Sequence, residues 1–177
     1  EEGEKVRRIV DEVAGFIRRP ERCATFLVID GWHHIGTSNA EFEDIAEKVT
    51  EIVADGASAH VHVIIATSRL TTMRPAIRDL IANRLELRLG EALDSLIDRK
   101  LQQKLPSAPG HGLTLMGENM LLARTSNQDI AHICRVHAEA QPVPQLKMLP
   151  AVLTPAALAA QGDVPAREIA WGIGGRD

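Results

Sequence analysis

Two short runs of apolar and β-branched residues most constrain the fold of this chain. They are Thr25-Phe26-Leu27-Val28-Ile29, closed by Asp30-Gly31, and Val61-His62-Val63-Ile64-Ile65-Ala66-Thr67. Near-continuous runs of this kind suit strands covered on both faces, as in a parallel sheet. Between them, Phe42, Ile45, Ala46, Val49, Ile52 and Val53 repeat at helical spacing, which predicts a helix over about 40–55 with Ser38 or Asn39 as its cap. A strand, a crossover helix and a second strand form a right-handed parallel unit. In such sheets ligands bind beyond the carboxyl ends of the strands, where Asp30 and Thr67 fall.

The flanking segments extend the pattern. Val6, Ile9, Val10, Val13, Phe16 and Ile17 predict an amphipathic helix over 4–19, stopped at Pro20. A short helix is expected from Pro75 to Ala82, a half-exposed strand over Leu85–Leu89, and a helix over about 91–103. Gly117-Glu118-Asn119 between two apolar runs signals a hairpin of residues 112–116 and 120–124. A last helix is expected over about 127–140. Strand alternating with helix is the order of an α/β three-layer sandwich. From Gln141 onward, five prolines punctuate an Ala-, Leu- and Gln-rich stretch, which reads as an extended linker with one helical turn near 155–160. Residues 168–173 have the composition of one more strand.

Composition removes several function classes. Of 177 residues 45% are hydrophobic, enough for a packed core, so wholesale disorder is excluded. Three Phe, two Trp and no Tyr leave too few aromatics for base stacking, and a net charge of −4 disfavours a surface that tracks nucleic-acid phosphate. The acids concentrate early: residues 1–55 hold thirteen acids and seven bases, and the remainder eleven and thirteen. No apolar run approaches the roughly 20 residues that span a bilayer. Cys23 and Cys134 are isolated, which fits a reducing compartment.

Candidate chemistry centres on Asp30. A carboxylate directly after a buried strand can hold Mg²⁺ opposite the phosphates of a nucleotide, or simply cap a turn. Many ATPases place Glu next to polarise water. Here the position is Gly31, which cannot act as a base. No G-x-x-x-x-G-K-[ST] loop is present. Gly31–Ser38 has its glycine spacing but puts Thr37 where lysine belongs, with Trp32 and two histidines in the cradle. Thr67 can sense a γ-phosphate or satisfy the backbone. Arg74, Arg78, Arg84 and Arg88 offer candidates for an arginine finger or for solvated faces. His33/His34, His60/His62 and His132/His137 lack zinc spacing and an accompanying C-x-x-C. No nucleophile elbow or paired-carboxylate motif appears.

Read in order, TFLVIDGW, EFEDIAEKVTEIVADGASAHVHVIIATSR, MRPAIRDLIANRLELRLGEALDSLIDRK and GHGLTL resemble the FtsK/SpoIIIE-type ATPase domains of EccC, the motor proteins of type VII (ESX) secretion systems. The resemblance spans about residues 23–140. It implies a RecA-like P-loop NTPase fold with a mostly parallel sheet, of which this chain carries the C-terminal half. By that resemblance, residues 1–22 are the helix before the Walker B strand. Residues 23–140 are the Walker B half, and 141–177 connect onward to the first strand of a next domain. Asp30 corresponds to the Walker B aspartate and would hold Mg²⁺ with nucleotide. Gly31 stands at the catalytic glutamate position, as in the family's later, degenerate domains, and with Trp32 suits a middle domain; Thr67 stands at the polar sensor, and Arg84 at a recurrent arginine that suits an inter-domain finger. ATP and Mg²⁺ are the implied cofactors of the intact domain, with no catalytic residue in this chain alone. The implied partners are neighbouring ATPase domains of a hexameric parent, ESX substrates and other membrane-complex components, with no nucleic acid. The implied place is the cytoplasmic face of the plasma membrane. The alternatives are a DNA translocase module of the FtsK sort and a non-catalytic protein-interaction module.

Overall fold

The computed structural model describes residues 2–19, 23–36, 42–140 and 152–159. The chain divides into two compact units, Glu1–Ala140 and Gln141–Asp177.

The first unit opens with helix α1 (Glu2–Arg18), followed by strand β1 (Thr25–Asp30), a single helical turn α2 (His33–Gly36), helix α3 (Glu43–Asp55) and strand β2 (Val61–Ala66). β1 and β2 pair in parallel, Thr25 opposite Val61 through Asp30 opposite Ala66, as the βαβ pattern requires. One face of this pair is closed by helices. Leu27, Ile29 and Val61 are buried there with Val10 and Val13 of α1 and with Ile45, Ala46, Val49 and Ile52 of α3. Val6, Val10, Val13 and Ile17 recur every three to four residues, so one stripe of α1 meets the core. Ile9, expected in that stripe, falls on the exposed side. Ion pairs flank the α1–α3 seam: Arg7 Nε donates to Asp44 Oδ2 at 2.9 Å, and Lys48 pairs with Asp11.

The other face of the pair is open. Phe26, Val28 and Ile64 are 59%, 65% and 52% exposed, although their composition predicts burial on both sides. Among the described residues the sandwich therefore has two layers here, helices and sheet. The Phe26 and His62 rings stack across the open face with centroids 5.2 Å apart.

After β2 come α4 (Pro75–Leu80), with proline in its first turn, and a second, antiparallel sheet. Its strands are β3 (Leu85–Leu87), β4 (His111–Thr114) and β5 (Asn119–Leu121), in that order. The strand expected to continue the parallel sheet thus belongs to a separate one, built on the anticipated hairpin. In its connection Gly117 takes a left-handed φ of 78°. The helix expected over 91–103 is reduced to α5 (Arg99–Lys104) after a 3₁₀ turn at Ala92–Asp94. The cause is local. Ser95 Oγ accepts from the amides of Ile97 and Asp98, and the Asp98 side chain accepts from those of Lys100 and Leu101. Such side chains offer the backbone an alternative to the helix. α6 (Asn127–Val136) closes the unit, fixed at its start by a Ser126/Asp129 capping box. In the second unit α7 (Pro155–Ala159) supplies the anticipated helical turn. The expected caps Ser38 and Asn39, the stop at Pro20 and the strand at 168–173 lie outside the described residues.

Candidate functional site

The two parallel strands end side by side, and this brings three of the sequence-predicted residues together. Asp30 is paired with Ala66 at the last rung, exposed, on the same face as Val28. Gly31 follows with φ 79°, a left-handed conformation that glycine adopts without strain. The amides of Gly31 and Trp32 both donate to Ala66 O, at 3.1 and 2.9 Å. This double bond to one carbonyl turns the chain sharply away and leaves Asp30 at the rim. Thr67 follows Ala66 directly, and its hydroxyl donates to Arg69 O at 3.3 Å.

The edge thus presents a carboxylate, a glycine and a threonine hydroxyl to solvent. A carboxylate in that setting is a hard oxygen donor suited to Mg²⁺. No side chain stands at position 31 to activate water. A Cβ added there would lie 3.1 Å from His34 Cδ2, in a backbone conformation unsuited to other residues. The segment after Asp30 also differs from a phosphate cradle. Trp32 is buried in the core at 1% exposure, and the rings of His33 and His34 in α2 lie tilted against each other with centroids 4.0 Å apart. Thr37 and Ser38 lie outside the described residues.

Arg84 is not brought to this edge as a free cation. Its Nη2 donates to Arg78 O at 2.6 Å, satisfying a carbonyl at the end of α4. The neighbouring arginines are likewise engaged. Arg69 pairs with Asp94, Arg74 with Glu43, and Arg88 with the Leu105 carbonyl. Among the described residues no His, Cys, Asp and Glu cluster forms a metal site, and both cysteines are exposed thiols. No helix there is long and apolar enough to cross a membrane.

Two features escaped the sequence reading. The first is Trp32, whose position straight after a strand end was the available signal. It forms part of a groove of about 430 Å³ between α3 and α4. The second is a polar hub around Glu86. Leu85 and Leu87 face outward while Glu86 turns inward, where it accepts from Ser95 Oγ and Gln102 Nε2, both at 2.7 Å, and from the Leu96 amide at 3.2 Å. Period-two alternation shows that a strand has two faces but not which one the protein buries.

No protein-family model matches the chain. It is 37% identical over 128 residues to the ESX-4 secretion system protein EccC4 of Mycobacterium tuberculosis, covering 71% of this chain and 10% of that protein. It is 33% identical over 147 residues to the ESX secretion system protein EccC of Thermomonospora curvata, covering 75% of this chain and 11% of that protein. The solved structure of ATPases 2 and 3 of T. curvata EccC, in complex with a signal sequence peptide, superposes with a TM-score of 0.71. It is 28% identical, over 86% of this chain and 34% of that one. The chain therefore spans about a tenth of the length of the curated relatives it matches.

Proposed function

The chain is a homologue of one segment of the EccC proteins of ESX secretion systems, and we infer that it supplies the Walker B side of a degenerate, regulatory nucleotide site in a secretion motor of that kind. The observation that carries this reading is the placement of Asp30 and Thr67 at the carboxyl ends of adjacent parallel strands, where α/β sheets bind their ligands. Asp30 would hold the Mg²⁺ of a bound ATP, and the Thr67 hydroxyl would face the terminal phosphate. The metal's chemistry is charge neutralisation at the phosphates. Gly31 provides no base, so the site binds nucleotide to report its state rather than to cleave it. Arg84 would act as an inter-domain finger only after leaving the Arg78 carbonyl.

The open sheet face of Phe26, Val28 and Ile64 supports a site completed elsewhere in a longer polypeptide, whose phosphate-loop half would cover it. The partners of this reading are neighbouring ATPase domains and ESX substrates, the latter through signal-sequence peptides of the kind bound by T. curvata EccC. The exposed apolar stripe of α6, with Ile130, Ile133 and Val136, gives specific support to a second, non-catalytic interaction role.

The test is nucleotide binding and hydrolysis by the purified chain, alone and with the phosphate-loop half of its parent domain. The chain alone should not hydrolyse ATP. Together the two halves should bind ATP in a Mg²⁺-dependent manner, and Asp30→Ala should abolish this. Mg²⁺-dependent turnover by the chain alone, lost on Asp30→Ala, overturns the degenerate reading. Binding indifferent to Asp30→Ala overturns the Walker B assignment.

A further inference from the structure

The groove between α3 and α4 borders the strand-end turn through Trp32 but includes neither Asp30 nor Thr67, and its lining is chemically lopsided. Its floor is apolar, built from Trp32, Ala46 and Ile77, all buried. One wall carries Glu47, Glu51 and Asp55, spaced four residues apart along α3 and therefore on one stripe. All three are exposed, and none has an ion-pair partner among the described residues. Glu51 and Asp55 sit in the last turns of α3, where the carbonyl end of the helix already concentrates negative potential and no basic residue offsets it. The groove's own cation, Arg74, is held by Glu43 at 3.1 Å. Thr50 spends its hydroxyl on Ala46 O at 2.7 Å.

One buried donor completes the picture. Trp32 Nε1 has no acceptor among the described residues, although the indole is almost wholly enclosed. That nitrogen has essentially no accessible surface, so an occupant of the groove acts on the indole through packing rather than by bonding to it.

We propose that this groove docks a segment of another polypeptide that bears lysine or arginine beside an aliphatic side chain. The aliphatic side chain packs on the floor of Trp32, Ala46 and Ile77, and the cation meets the Glu47–Glu51–Asp55 wall. The unpaired carboxylates select this occupant. An acidic segment or a nucleic-acid phosphate would meet like charge there. The inference goes beyond the nucleotide reading and survives its failure, because it uses neither Asp30 nor Thr67.

The test uses the full chain with Trp171→Phe, so that Trp32 alone reports. Two short amphipathic peptides with identical leucine positions serve as probes, one carrying lysine and the other glutamate on its polar face. The lysine peptide should shift the Trp32 emission and the indole N–H resonance saturably, with an affinity that falls as salt rises. The triple variant Glu47→Gln, Glu51→Gln, Asp55→Asn should bind it about tenfold more weakly while keeping the wild-type melting temperature within a few degrees. Equal binding of both peptides, an unchanged affinity in the triple variant, or a Trp32 indole resonance that does not move would each overturn the proposal.

Discussion

Replacing Glu86 with alanine tests whether the second sheet is held by an inward-facing carboxylate rather than by its leucines. Glu86 accepts three hydrogen bonds: Ser95 Oγ and Gln102 Nε2 at 2.7 Å, and the Leu96 amide at 3.2 Å. Ser95 and Gln102 are both buried, so removing the acceptor strands their donors out of reach of water. A hydrogen bond to a charged group contributes about 1.5–3 kcal/mol. The loss is tempered because Gln102 Nε2 keeps Leu87 O at 3.1 Å and its Oε1 keeps the Leu89 amide. Glu86→Ala should therefore cost about 3 kcal/mol. Glu86→Gln, which keeps the shape but loses the charge and one acceptor, should cost about half that. Equilibrium urea unfolding followed by circular dichroism gives both values. Amide exchange localises them, with lost protection at Leu87 and Leu113 and little change at Leu27 and Ile29. A Glu86→Ala protein within about 0.5 kcal/mol of wild type, or a glutamine variant as damaged as the alanine one, refutes the hub.

Two other outcomes follow from the same geometry. In Gly112→Ala the new Cβ would lie 2.6 Å from both Glu86 O and Met120 Cε, and 3.0 Å from Leu87 Cα. Met120 can swing aside but the β3 backbone cannot, so thermal unfolding should show a loss of about 1–3 kcal/mol. Asp44 tests the α1–α3 seam by pH. The side-chain hydrogen bond from Arg7 holds its carboxyl below the ordinary 3.8. A pKa lowered by folding stabilises the native state above the unfolded value, and this is lost as pH falls through the folded one. The wild-type urea midpoint should therefore drop more than that of Asp44→Asn between about pH 6 and about pH 3, the extra drop falling below 3.8. Parallel pH profiles of the two proteins would dismiss the pairing.

Much of the parallel unit was legible because its signals are local. Ile45, Val49 and Ile52 follow one another at four- and three-residue spacing, so periodicity alone marks the buried stripe of α3, while the continuous apolar run of β1 marks a strand but not that Phe26 and Val28 face outward. The second sheet resisted reading for the opposite reason. In Leu85-Glu86-Leu87 the usual rule would bury the leucines, but Ser95 and Gln102, nine and sixteen residues onward, converge on the carboxylate and turn the strand over. The expected 91–103 helix failed because Ser95 and Asp98 both bond to nearby amides, a competition that propensity over a window averages away.

By itself, the sequence determined that this chain forms a parallel βαβ unit with Asp30 and Thr67 at the carboxyl ends of its strands, and that a glycine follows Asp30. These properties depend on residue type and spacing along a short stretch of backbone. Only the tertiary structure decided the rest. Gly31 and Trp32 share the Ala66 carbonyl, Arg84 is committed to the end of α4, one sheet face is left open, and an acidic groove forms above Trp32. Each of these depends on contacts between segments distant in sequence, and such contacts are set by how elements pack rather than by what any one of them prefers to form.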